Sequence, residues 1–299
     1  AKMATDVGVA AVEILKAATG PGEQVLVNTP VYAAFFSWLK EADCTPVDAP
    51  LVLEGDTWKL DLPAIRAAFE SGVRVYLLCS PQNPVGRIHT AKELTEIAKL
   101  AKEFDVLVIS DEIHAPLTYD ATQFVPFLAV SETAREVGIC VTAASKSWNL
   151  AGLKCATIIT AHPKQLERAK SMPMAVHYRA SLFGAVASAV AYECTDWLDS
   201  AIATMDSNRS YLATLLKKEL PSVGYRIPDF SYLAWLDLGA YKIQDLQQAI
   251  LKEAKVAVVA GSDHGIDDDY PGFVRFNFAT SKPRITEAVR RIAELCEGH

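Results

Sequence analysis

No run of apolar residues in this chain approaches the length of a membrane span, and no signal-peptide pattern opens it. No membrane partner is therefore expected. Basic residues are scattered, with no Lys or Arg stripe to neutralise a nucleic-acid backbone, and the 299-residue chain carries a net charge of −7. Nucleic acid is set aside, but a small anionic ligand is not, since it needs only a few converging cations. The six cysteines, Cys44, Cys79, Cys140, Cys155, Cys194 and Cys296, contain no CxxC pair. Cys44, Cys79, Cys140 and Cys155 fall at or inside apolar, strand-like runs and read as buried free thiols. Free thiols point to a reducing compartment, the cytoplasm; a catalytic cysteine is the rival reading. No metal is expected, and no internal repeat or low-complexity segment is visible. The chain opens on AKMATDVGVA, without Met, and reaches helix-like sequence at once, so an N-terminal part is expected to be missing.

What is present is ordinary globular composition, 51% hydrophobic and 22% charged, with length for a large core and two domains. Apolar runs over residues 24–28, 44–48, 73–79, 106–110, 138–142 and 155–160 predict strands. Helices are predicted over 6–19, 32–42, 61–71 and 90–104. Asp61 is a predicted N-cap with Pro63 in the first turn, and Thr90 with Glu93 forms a capping box. Residues 49–60 read as a polar loop. The strands are continuous apolar runs, as expected when both sheet faces are covered. The pattern predicts an α/β fold with a mostly parallel sheet flanked by helices. Past residue 160 helices dominate (163–171, 179–193, 196–220), followed by strands at 224–227, 232–237, 256–260 and 273–278. Helices at 243–254 and 282–297 accompany these. This predicts a large domain, 1–200, and a smaller α+β domain, 201–299.

The stretch TAASKSWNLAGLKCA, residues 142–156, presents Lys146 on a loop between two apolar strands. Alone it reads equally as a surface loop or as a desolvated, reactive amine. Asn83, Asp111 and Lys146 all lie just past predicted strand ends, where ligands of such sheets sit. Tyr32 follows a Thr-Pro turn. Arg275 stands inside the apolar strand FVRFNF, and such a guanidinium needs an anion: an internal salt bridge or a substrate carboxylate. Pyridoxal 5′-phosphate uses a lysine, an aspartate, an asparagine, an aromatic ring and an anion site together. Lys146 would hold its aldehyde carbon and Asp111 its pyridine nitrogen. Asn83 would face the phenolic oxygen and Tyr32 the ring. The helix start at Asp6 and Val7, with Ser145 and Lys154, would take the phosphate. Trp148, Tyr178 and the loop around Phe230 are candidates for lining the substrate pocket.

The ordered motifs NTPVYAAF, SPQNPVGR, DEIHAPLTY, ASKSWNLAGLKCA, AYECTDWL, YLAWLD and GFVRFNFAT carry a resemblance over essentially the whole chain. The chain resembles the fold-type I enzymes of the aminotransferase class I/II superfamily, and within it the MalY/PatB-type cystathionine β-lyases. The resemblance implies a homodimer dependent on pyridoxal phosphate. It implies β-elimination from cystathionine or related S-substituted cysteines, giving pyruvate, ammonia and a thiol. Transamination is the alternative, and a regulatory binding protein built on the same fold is a further one. By matched motif Lys146 is the Schiff-base lysine and the base for the Cα proton, and Arg275 the carboxylate ligand. His114, where aminotransferases typically carry tyrosine, joins Asn83 near the phenolic oxygen. One departure concerns the phosphate. The family often has serine three residues before the lysine, and here that residue is Ala143, with Thr142 beside it as a possible substitute.

Overall fold

Both faces of the central sheet are covered, which is why its strands are unbroken apolar runs. The computed structural model describes residues 1–120 and 123–298. In chain order its first elements are β1 (Lys2–Ala4), α1 (Val7–Ala18), β2 (Gln24–Val27), α2 (Ala34–Glu41) and β3 (Thr45–Asp48). Next come β4 (Val52–Glu54), β5 (Thr57–Lys59), α3 (Leu62–Glu70), β6 (Val75–Cys79), α4 (Ala91–Glu103) and β7 (Leu107–Asp111). Then follow α5 (Glu132–Val137), β8 (Gly138–Thr142), β9 (Ala156–Ile159), α6 (Pro163–Ser171), α7 (Met174–Tyr178), α8 (Leu182–Glu193) and α9 (Thr195–Glu219).

The large sheet has the order β1-β9-β8-β7-β6-β2-β3. The pairings from β3 across to β8 are parallel, whereas β9 and β1 pair antiparallel. Successive strand residues point to opposite faces. Val25, Val27, Val75 and Leu77 accordingly pack with α1, and Leu26, Tyr76 and Leu78 pack with α3 and α4. Local chemistry sets the helix starts. Asp61 accepts from the Ala64 N–H, and the Thr90–Glu93 capping box is complete. The remainder builds a second sheet, from β10 (Gly224–Tyr225), β11 (Leu233–Asp237), α10 (Leu246–Ala249), β12 (Val259–Ala260), β13 (Phe273–Asn277) and α11 (Lys282–Glu297). Its order is β10-β11-β13-β12, all antiparallel, and it shares an apolar core with α9 and α11.

Several expectations are corrected. The polar loop at 49–60 contains the β4–β5 hairpin, whose Trp58 packs edge-on against Tyr270 and Phe273. The helix expected over 243–254 is reduced to α10 and one π turn, Ile250–Ala254, because Asp245 is left-handed at φ 46° and cannot extend it backwards. The helix expected from 179 starts at Leu182, behind the separate α7, where the Ser181 side chain caps it. Strand β1 was not expected at all. Cys155 is half-buried rather than buried, while Cys44, Cys79 and Cys140 are buried free thiols.

Candidate active site

Parallel neighbours β6, β7 and β8 end on one edge of the sheet. Cys79 lies opposite Asp111, and Asp111 opposite Val141. The chain leaving these strands therefore brings Asn83, Asp111 and Lys146 together. They open on a cavity of about 480 Å³ that is also lined by Tyr32, His114, Ser145, Lys154, Asp6, Val7 and Arg275. The ten residues assigned from the sequence to the cofactor and the carboxylate thus meet at one place.

Arg275 arrives from the other sheet by strand alternation. Its neighbours Val274 and Phe276 enter the core of that sheet, leaving the guanidinium on the cavity side. Its Nη1 donates to Asn83 Oδ1 at 3.2 Å, and it lies 6.0 Å from the Tyr32 ring centroid. Among the described residues it makes no salt bridge, so the internal ion pair is not what holds it. Burial lowers its pKa from the ordinary arginine value.

Asp111 accepts one hydrogen bond, from the Ile113 N–H at 3.1 Å. Burial pushes its carboxyl up to about 7, against the pull of that N–H and of Lys146. His114 is pushed down to about 3, first by burial and then by the Lys146 and Arg275 cations. It is therefore neutral, packed between Phe230 and Tyr232, and its Nδ1 is buried without a partner. An orphaned imidazole nitrogen, a costly buried carboxylate and an unpaired guanidinium on one cavity fit a bound group that carries complementary charge.

The start of α1 also lines the cavity. Asp6 is extended, and its Oδ1 accepts from Val9 N at 2.9 Å. The Val7 and Gly8 N–H groups are left without helical partners, as at any helix start. Lys154, left-handed at φ 53°, places Nζ 3.5 Å from Asp6 Oδ2. Thr142 does not replace the missing hydroxyl. Its Oγ1 donates to Glu112 O at 3.3 Å, and neither Thr142 nor Ala143 lines the cavity.

Trp38 and Asn277 also line it and were not expected, and so does Tyr232, beside Phe230. Asn277 was within reach of the strand period, standing two residues past Arg275 on the same face. Trp38 lies against the first turn of α1. A Cβ added to Gly8 would fall 2.7 Å from its Nε1, so a glycine is required there. Of the candidates for lining a substrate pocket, Trp148 and Tyr178 do not line it, and the loop around Phe230 reaches it through Tyr232. Trp148 packs edge-on against Tyr192 and donates to Cys194 O, Tyr178 is 78% exposed, and Phe230 is buried behind His114.

The chain is similar to known proteins over nearly its whole length. A cystathionine beta-lyase of Corynebacterium glutamicum and the cystathionine beta-lyase PatB of Bacillus subtilis are each 34% identical to the chain, over 93% of it and 73% of their own length. The structure of cystalysin from Treponema denticola, which contains a pyridoxal 5′-phosphate cofactor, superposes with a TM-score of 0.90 at 27% identity. It covers 99% of this chain and 76% of that one. The family model for aminotransferase class I and II matches residues 5–292, and the chain belongs to that family.

Proposed function

We propose that the protein is a pyridoxal phosphate-dependent carbon–sulfur lyase. It cleaves cystathionine or related S-substituted L-cysteines to pyruvate, ammonia and a thiol. The observation that carries this reading is the single cavity on which Lys146, Asp111, Asn83, His114 and Arg275 converge, in a chain whose relatives are named for that reaction. When bound, pyridoxal phosphate supplies an electron sink for the charge left at the substrate Cα. Every other part of the work falls to residues of the chain. Lys146 would hold the group through Nζ, and its free amine would take the substrate Cα proton on the same atom. The Asp111 carboxylate would hold the pyridine nitrogen, whose positive charge would offset the burial that raises the carboxyl. Asn83 accepts from Arg275 with Oδ1, and its N–H groups would serve the ring oxygen, beside neutral His114. Tyr32 would cover the ring. The Val7 backbone after Asp6, with Ser145 and Lys154, would take the phosphate, and Arg275 the substrate α-carboxylate.

The test is pyruvate release from cystathionine with no keto-acid acceptor present, together with a visible absorption band that Lys146→Ala abolishes. Amino-group exchange with a keto acid and no pyruvate would move the reading to aminotransferase. No band with the cofactor would end it.

We further propose that the protein works as a homodimer with an amino-acid substrate and no nucleic-acid partner. The helices α7 and α8 leave Tyr178, Leu182, Phe183 and Val186 exposed, an apolar face that a second copy would cover. A cytoplasmic setting is part of the same reading. Among the described residues no helix is long and apolar enough to cross a membrane. Two domains, 1–200 and 201–299, are proposed from the separate cores of the two sheets.

A further inference from the structure

Gln82 is wholly buried and does not line the cavity, yet it joins the two loops that do. Its Nε2 donates to Asn28 O and to Pro30 O, both at 3.0 Å, in the segment that leads from β2 to Tyr32. Its backbone N–H donates to Arg87 O at 2.9 Å and its carbonyl accepts from Gly86 N at 3.0 Å, which folds the turn that presents Asn83. Gly86 has φ 72°, and a Cβ there would lie 2.4 Å from Pro228 Cβ, so this turn admits only glycine. The Gln82 Oε1 accepts from His89 Nε2 at 3.3 Å, and the same nitrogen lies 3.0 Å from Cys79 O. Arg87 Nη1 faces His89 Nδ1 at 3.4 Å and fixes the tautomer with its proton on Nε2. Arg87 in turn donates twice to Glu93, at 2.7 Å each, within the capping box of α4.

We propose that Gln82 is a positioning residue. It sets Tyr32 and Asn83 in register with each other, and the His89–Arg87–Glu93 relay holds its carboxamide in place. Both amide hydrogens and the carbonyl oxygen of that carboxamide are used, and the weaker second link between the loops is Cys79 Sγ, which accepts from Asn83 N at 3.4 Å and from the Tyr32 backbone. Replacing it leaves two buried carbonyls unpaired and frees both loops at once. The role in catalysis rests on the lyase reading; the coupling of the loops does not.

The experiment compares wild type with Gln82→Met, which keeps length and volume but has no N–H. A second variant, His89→Asn, loosens the relay one step back. Leu212→Ala, in the core of the second sheet, is a control that lowers stability far from the site. Hydrogen–deuterium exchange of the cofactor-free protein is read at residues 28–32 and 80–86. Pyridoxal phosphate affinity, the pH midpoint of its visible band, kcat and KM are read on the holoenzyme. Gln82→Met is expected to speed exchange in both segments together, to weaken cofactor binding by roughly ten-fold and to move the pH midpoint, with kcat falling more than KM changes. His89→Asn should do the same to a smaller degree. Leu212→Ala should lower the melting temperature with none of these changes. Exchange that rises in one segment only, or band and kinetic changes no different from the control, would overturn the proposal. If wild type shows no visible band, the lyase reading fails, and the paired exchange result still decides the coupling.

Discussion

At the scale of single residues, the site stores electrostatic cost that a ligand relieves. Asp111 carries a pKa raised to about 7 by burial, above its unfolded value of 3.8. A raised carboxyl is free of cost below about pH 4, where it is protonated in both states, and the cost is complete above pH 7. Asp111→Asn should therefore make the cofactor-free protein more stable than wild type at pH 8, by on the order of 2–4 kcal/mol. The gap should close as pH falls through 7 towards 4, as measured by urea denaturation, and pyruvate release should be lost. Equal stability at pH 8 would contradict the buried-anion account. Arg275 makes the complementary case. Its guanidinium is held by Asn83 and no carboxylate, so Arg275→Lys should leave the fold intact and lose the two-pronged grip on a carboxylate. A rise in KM of about 10–100-fold is expected, with steady-state kinetics as the check.

At the scale of elements, α1 combines an ordinary cap with a phosphate-facing end. Asp6→Asn keeps the cap, so stability should change by less than ~0.5 kcal/mol, while one negative charge leaves the anion end. Pyridoxal phosphate should then bind tighter, which equilibrium dialysis would show; weaker binding would place Lys154 under the control of Asp6 instead. The elements legible in the sequence are those that carry their own signals. These include the proline and capping aspartate of α3, the capping box of α4 and the uninterrupted apolar runs of β6, β7 and β8. Strand β1 and the β4–β5 hairpin are too short to show a period and form because a neighbour is there to pair with. The site follows the same division. Asn83, Asp111 and Lys146 were legible because strand ends are. Trp38 was not, because an aromatic facing a cavity and one packing a core have the same spelling. Trp148 misled because nearness to Lys146 along the chain says nothing about which way a ring points.

At the scale of the whole molecule, the exposed apolar face of α7 and α8 adjoins the site by close contact, and Ser181 N at the start of α8 donates to Lys154 O at 3.0 Å. A Cβ at Gly184 would lie 2.1 Å from Leu153 O, so α8 presses on the loop that carries Lys154. Phe183→Glu should yield a monomer by light scattering and, through this contact, a weaker cofactor complex; an unchanged dimer would show that another face associates. The reversal of direction between β8 and β9 has a consequence of a different kind. Thr142 and Thr157 are paired neighbours, so the segment bearing Lys146 leaves and re-enters the sheet at adjoining points. In polymer terms it is a closed ring rather than a free arm. Its closure entropy is lost once, when the sheet forms, and little remains to be lost each time the lysine lets go of one partner and takes another.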